Sequence, residues 1–199
     1  MVLLILYLSA LHARFSRPHP NAESTNSDGP LPLPKLPQTL RSVYIISEHP
    51  FKQVDDFVDD SLRTYHLDLA RYAKSMKEAF TDYLADHKDV KAIFVGTRRT
   101  DPHGGSLKYF DQTDRGWPAF MRIHPVIDWH YAEVWTFIRH LEIPYCPLYD
   151  LGYTSLGGTT DTHPNPHLKL DNDLGGAGEK FRPAYELVED EEERLGRDR

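Results

Sequence analysis

Lys91-Ala92-Ile93-Phe94-Val95-Gly96-Thr97-Arg98-Arg99-Thr100-Asp101-Pro102 is the stretch on which the fold turns. Its first five residues form an apolar run closed by a glycine, the pattern of a buried strand. Ligands of open α/β sheets sit just beyond the carboxyl ends of the strands. Arginine suits phosphate there because its planar fork bonds two oxygens at once. Arg98 and Arg99 are therefore candidate phosphate contacts. An aspartate beside phosphates is repelled unless a cation lies between them, so Asp101 points to Mg²⁺. A surface strand end with a local Arg–Asp pair explains the same residues without any ligand.

The neighbouring segments supply the rest of the pattern. Ser42–Ser47 reads as a second strand. Pro50 then introduces a helix with the stripe Val54, Phe57, Val58 and Leu62. Tyr65–Leu69 alternates and predicts a short strand, and a helix is predicted over 73–87, with Met76, Ala79, Phe80, Tyr83 and Leu84 on one side. A further helix is predicted after Asp128 as N-cap, burying Val134, Trp135, Ile138 and Leu141. With an apolar helix at the N-terminus, helices and strands alternate. That order predicts an α/β fold, an open, mostly parallel sheet with flanking helices.

The totals restrict the function. The chain has 199 residues, which suits one domain, and a net charge of −7, which disfavours nucleic acid as a partner. Anionic phosphates would need a local arginine cluster and backbone N–H groups. The single cysteine, Cys146, excludes an internal disulfide and fits a reducing compartment, so a cytoplasmic location is expected. It reads as a buried, inert thiol. No run reaches the roughly 18 apolar residues of a membrane span, so no membrane partner is expected. Residues 1–14 have the apolar core of a secretory signal without its basic leader, and are read as a core helix of a domain lacking its beginning. Residues 15–41 are a polar, proline-rich loop read as a spacer, 42–170 the α/β domain, and 171–199 a C-terminal tail. The tail's acidic run Glu189–Glu193, taken alone, reads as solvated.

Two further segments are candidates for chemistry. Asp114–Pro125, with Gly116, Pro118 and Pro125, is predicted irregular, yet it carries Trp117, Phe120 and Met121. Such a segment packs either on the core or on a flat aromatic ligand. Asp114 can accept from a heteroaromatic N–H edge, and Arg122 can serve a carbonyl or phosphate. Leu148–Gly158 is rich in glycine and hydroxyls and can line a nucleotide, but has no lysine to make it a P-loop. His163 and His167 have zinc-pair spacing, but Pro164 and Pro166 forbid the helix that needs it, so a structural turn is expected.

Gly96-Thr97-Arg98-Arg99-Thr100-Asp101-Pro102, Thr113-Asp114 through Trp117-Pro118, Phe120-Met121-Arg122, and Leu148-Tyr149-Asp150 through Gly152–Gly157 together resemble the eukaryotic FAD synthases. The likeness runs in order over residues 42–168. Glu193-Arg194-Leu195-Gly196-Arg197 resembles that family's C-terminal arginine motif and reverses the bland reading of the tail. The resemblance implies a fold like the phosphoadenosine phosphosulfate (PAPS) reductases and adenine nucleotide alpha hydrolases. The implied activity is FMN adenylyltransferase, a nucleotidyltransferase making FAD from FMN and Mg²⁺–ATP. It implies ATP and phosphate contacts at Gly96, Thr97 and Arg98, a metal and catalytic role for Asp101, FMN contacts at Asp114, Trp117 and Arg122, and catalytic roles for Arg194 and Arg197. A monomer is expected.

The family's modified phosphate loop, of the Asn-Gly-Gly-Lys-Asp kind, is not found; Leu3–Ser9 resembles the helix that follows it. The expectation is an N-terminally truncated domain with little or no turnover. A non-catalytic flavin-binding protein is the main alternative. A sulfonucleotide reductase needs a nucleophilic C-terminal cysteine, and a secreted protein needs residues 1–13 as a signal; both are weaker readings.

Overall fold

The computed structural model describes residues 39–170 and 179–198. The readings placed on 1–14, on most of the 15–41 loop and on 171–178 lie outside the described residues. Strand β1 (Leu40–Ile45) pairs in parallel with β2 (Leu67–Tyr72), Leu40 facing Leu67 and Ile45 facing Tyr72. Parallel neighbours need a crossover, and helix α1 (Lys52–Thr64) provides it. The Tyr44 hydroxyl donates to Asp55 at 3.0 Å, tying this helix to its strand.

Helix α2 (Met76–Asp86) starts at a capping box: Ser75 accepts from the Glu78 N–H while Glu78 accepts from the Ser75 N–H. Ala79 and Tyr83 are buried and Phe80 packs on Phe120, with centroids 5.2 Å apart. Met76, expected inside, is exposed, because it sits in the first turn beyond the packed face. Strands β3 (Ala92–Phe94), β4 (Phe110–Gln112) and β5 (Met121–Ile123) form a second sheet in the order β3-β5-β4. β3 runs parallel to β5, and β4 antiparallel. The buried strand expected at Lys91–Val95 is instead an edge strand among the described residues, paired on one side only, with Phe94 46% exposed. The fold class is thus α/β with mostly parallel pairing, divided into two ladders among the described residues.

The segment 114–125 corrects the expectation of irregular structure, since it contains the middle strand of the second sheet. Pro118 and Pro125 flank β5 rather than interrupt it, so no ladder N–H is lost. Thr113 closes the hairpin: its N–H donates to the Phe120 carbonyl at 3.1 Å and its hydroxyl to the Pro118 carbonyl at 2.8 Å.

Helix α3 (Tyr131–His140) begins later than predicted. Asp128 is not its cap, because its carboxylate is drawn to Arg99 and to the Tyr109 hydroxyl. His130 takes the position instead, with its N–H on Glu133 at 2.8 Å. Leu141 lies past the helix end and is half exposed rather than buried. Tyr131, Trp135 and Ile138 form the main core with Ile143, Leu168, Ala184 and Leu187. Tyr145 and Tyr149 meet Trp135 edge-on at 5.2 and 5.1 Å. No helix among the described residues is long and apolar enough to cross a membrane.

Candidate functional site

A cavity of about 580 Å³ opens where β3 ends. This is the size of a small-ligand site. Gly96, Thr97, Arg98 and Asp101 form one wall. α1 contributes Phe57, and α3 contributes Val134, Trp135 and Ile138 to an apolar wall continued by Tyr145 and Tyr149. Burial pushes the Tyr149 phenol up to about 12 and Tyr131 higher still, so both stay protonated at neutral pH.

The loop after β3 is built around Arg98, whose side chain is 8% exposed. Its N–H donates to Asp101 Oδ2 at 2.8 Å and its Nη2 to Asp101 Oδ1 at 2.7 Å. The local Arg–Asp pair anticipated from sequence is therefore real, and it lies at the cavity wall rather than on open surface. Nη2 also reaches Glu193, and Nη1 lies 3.6 Å from Asp190. Burial lowers the guanidinium's affinity for its proton, but Asp101 and Glu193 outweigh burial and hold it above the ordinary arginine range. Burial likewise raises Glu193, with Arg98 opposing. Gly104 packs behind the loop, where a Cβ would stand 1.9 Å from the Arg98 carbonyl oxygen, so only glycine fits.

The acidic run is folded against the domain, as the arginine motif implied and unlike a solvated tail. Asp190 Oδ1 accepts the Tyr131 N–H at 2.7 Å, capping α3 from 59 residues away, and its other oxygen meets His130 Nδ1 at 2.5 Å. The fully buried Asn165 donates to the Glu192 carbonyl at 2.7 Å, and Thr154 to the Glu193 carbonyl at 2.6 Å. The Thr154 hydroxyl, a candidate nucleotide contact, is thus spent on this segment. Arg194, next in the chain, is exposed and lines the cavity. Arg197 does not line it: its guanidinium lies over Gly157 and pairs with Asp161 at 2.9 Å.

Asp114, Trp117 and Arg122 come together away from this cavity, on the β4–β5 hairpin. The Trp117 N–H donates to the Asp114 carbonyl at 3.0 Å, closing a turn in which Gly116 has φ +87°. Arg122 reaches Asp114 at 3.3 Å and the Gln112 carbonyl at 2.8 Å, and its buried Nε has no hydrogen-bond partner among the described residues. The Asp114 side chain is 73% exposed and Trp117 is 38% exposed, so the carboxylate is presented outward and the indole only in part.

For Mg²⁺ the donor set is sparse. No group of three acidic, histidine or cysteine side chains able to hold a metal occurs among the described residues. Asp101 offers one partly exposed carboxylate with lone pairs left over from Arg98. That fits an ion carried by nucleotide phosphates and not a protein-caged one. His163 and His167 face Asp198 and Glu192 separately, as a structural turn requires. Cys146 is buried, burial raises its thiol, and Sγ lies 3.7 Å from the Gln53 carbonyl.

Sequence reasoning missed the roles of Asp190, Glu193 and Asn165. The only signal for Asp190 and Glu193 was the acidic run itself, whose partners lie far away in the chain, and Asn165 stood in the proline-flanked His163–His167 turn with no signal of its own.

The PAPS reductase domain family matches residues 71–164. A probable FAD synthase of Schizosaccharomyces pombe is 44% identical over 155 residues, covering 78% of this chain and 56% of that protein. The flavin adenine dinucleotide synthase of Saccharomyces cerevisiae is 35% identical over 177 residues, covering 86% and 56%. The chain therefore spans a little over half the length of these curated relatives. The crystal structure of Candida glabrata FMN adenylyltransferase, in complex with FMN and an ATP analogue, superposes with a TM-score of 0.82 at 30% identity, over 98% of this chain and 76% of that one.

Proposed function

Because this chain belongs to the FAD synthase (FMN adenylyltransferase) family, we propose that it transfers AMP from ATP to FMN, giving FAD and pyrophosphate. The observation that carries this reading is the delivery of Arg194 to the same cavity as Gly96, Thr97, Arg98 and Asp101, by a segment folded back from the C-terminus. An FMN phosphate oxygen attacks the α-phosphorus of ATP, the bond from that phosphorus to the bridging oxygen breaks, and pyrophosphate leaves. Such transfer needs positioning and charge neutralisation more than covalent catalysis.

In this reading Asp101 meets the nucleotide through its Mg²⁺, which when bound would neutralise phosphate charge. Arg194 stabilises the charge developing on the phosphates. Arg197 reaches phosphate only by exchanging Asp161 for it. Asp114, Trp117 and Arg122 hold the flavin, Asp114 accepting from a ring N–H and Trp117 offering its face. Mg²⁺ arrives with ATP, and the working form is a cytoplasmic monomer with no nucleic-acid or membrane partner.

Flavin fluorescence titration tests the reading. FMN and FAD are expected to bind saturably, and riboflavin, which lacks the phosphate, more weakly. Equal affinity for riboflavin and FMN, or no flavin binding, would overturn it.

A further inference from the structure

We propose that Arg98 is a positioning residue that delivers Arg194 to the cavity, and is not itself a phosphate ligand; this rests on the adenylyl-transfer reading. Its guanidinium is shared among Asp101, Glu193 and Asp190, with 8% of the side chain exposed. Nη2 is taken by Asp101 and Glu193 and Nη1 faces Asp190 at 3.6 Å, so three carboxylates surround one cation and leave a local excess of negative charge that repels an incoming phosphate. Arg194, by contrast, is exposed to the cavity and makes no ion pair among the described residues.

The chain on the N-terminal side of Arg194 is held at Asp190, Glu192 and Glu193. Glu193 is held by Arg98 through its carboxylate and by Thr154 through its carbonyl. The Glu192 carbonyl takes Asn165, and Asp190 is held by Arg98, His130 and the Tyr131 N–H at the start of α3. On the other side, the His163 N–H donates to the Gly196 carbonyl at 2.8 Å. Arg194 is therefore the free cation on a short span clamped at both ends. Arg98 is the clamp that joins this span to the loop bearing Asp101, so one guanidinium sets the spacing between Asp101 and Arg194. An arginine mobile in solution loses several rotors of freedom on meeting an anion, and a clamped backbone removes part of that cost.

A double-mutant cycle separates positioning from direct binding. Calorimetric titration with pyrophosphate is run on the full chain, Arg98→Met, Arg194→Ala and the double variant. Hydrogen exchange is followed at the Leu195 and Arg197 amides, which donate to Glu192 and Arg194 carbonyls. Arg194→Ala is expected to weaken pyrophosphate about tenfold, the worth of one hydrogen bond to a charged group. Arg98→Met is expected to weaken it by a similar factor and to speed exchange at both amides. The double variant is expected to be no weaker than either single one, since Arg98 acts through Arg194. Additive losses, or Arg98→Met with unchanged affinity, would overturn the proposal. Glu193→Gln keeps the Arg98–Asp101 pair and covers the case in which Arg98→Met does not fold. It is expected to speed the same exchange, and unchanged exchange in it overturns the clamp. A wild-type chain that binds no pyrophosphate refutes the adenylyl-transfer reading, while the exchange measurement still decides the clamp.

Discussion

Asn165 gives the sharpest quantitative test of how the C-terminal segment is held. It is fully buried; its Nδ2 donates to Thr154 Oγ1 at 2.9 Å and to the Glu192 carbonyl at 2.7 Å, and its Oδ1 accepts the His167 N–H at 3.0 Å. Replacing it by alanine removes three hydrogen bonds, worth about 1 kcal/mol each, and strands the Glu192 carbonyl and His167 N–H. The sum is about 4 kcal/mol, which for a chain of this size lowers Tm by roughly 10 °C. Asn165→Asp keeps the shape and the acceptor for His167 but turns both donors into a lone-pair surface facing two oxygens. The new carboxyl is expected to hold its proton more tightly when folded than the roughly 3.9 of a free aspartate. Its defect should therefore be smallest below about pH 4, where the carboxyl is protonated in both states, and grow as pH rises to its folded pKa. Urea unfolding from pH 4 to 8 measures both effects. An alanine variant within about 1 kcal/mol of wild type, or an aspartate variant whose defect is flat with pH, refutes the reasoning.

Three other perturbations follow from the same contacts. His130 is raised by its hydrogen bond to Asp190; Asp190 is pushed up by burial but held lower by His130 and the Tyr131 N–H, which outweigh it. The His130 contribution is fully present below about pH 6.5 and lost as pH rises through its raised pKa; that of Asp190 is present above about pH 3.9 and lost as pH falls. The stability gap between wild type and His130→Ala should accordingly close at alkaline pH. Gly104→Ala places a methyl against the Arg98 carbonyl and is expected to cost about 2–3 kcal/mol by urea unfolding, together with lost pyrophosphate affinity. Asp114→Ala removes a largely exposed carboxylate, so stability should change by less than about 1 kcal/mol while flavin affinity falls about tenfold or more in fluorescence titration; Trp117→Ala, at a ring only 38% exposed, is expected to cost about 2 kcal/mol of stability as well as flavin affinity.

The loop after β3, helices α1 and α2, and the parallel pairing of β1 with β2 were legible because each rests on local chemistry: an apolar run ended by glycine, and amphipathic stripes between alternating strands. β4 and β5 were not, because three residues are too short for alternation to declare itself and the flanking prolines argue for a loop. The start of α3 was misplaced because Asp128 is a good cap by residue type, but Arg99 competes for its carboxylate. Among the candidate site residues, Gly96–Asp101 could be found from one strand end. The destination of Arg98 could not, since Glu193 stands 95 residues further along and a charge run looks the same whether solvated or clamped. The separation of Arg197 from the cavity was equally hidden, because only the packing on Gly157 sends it to Asp161.

Adenylyl transfer is tested most directly by incubating the purified chain, in amounts equal to FMN, with Mg²⁺–ATP and separating the flavins by chromatography. FAD and pyrophosphate in equal amounts are predicted, and the stoichiometric format detects even a slow reaction. A folded chain that binds FMN but forms no FAD in a single turnover contradicts the proposed activity and leaves a flavin-binding protein.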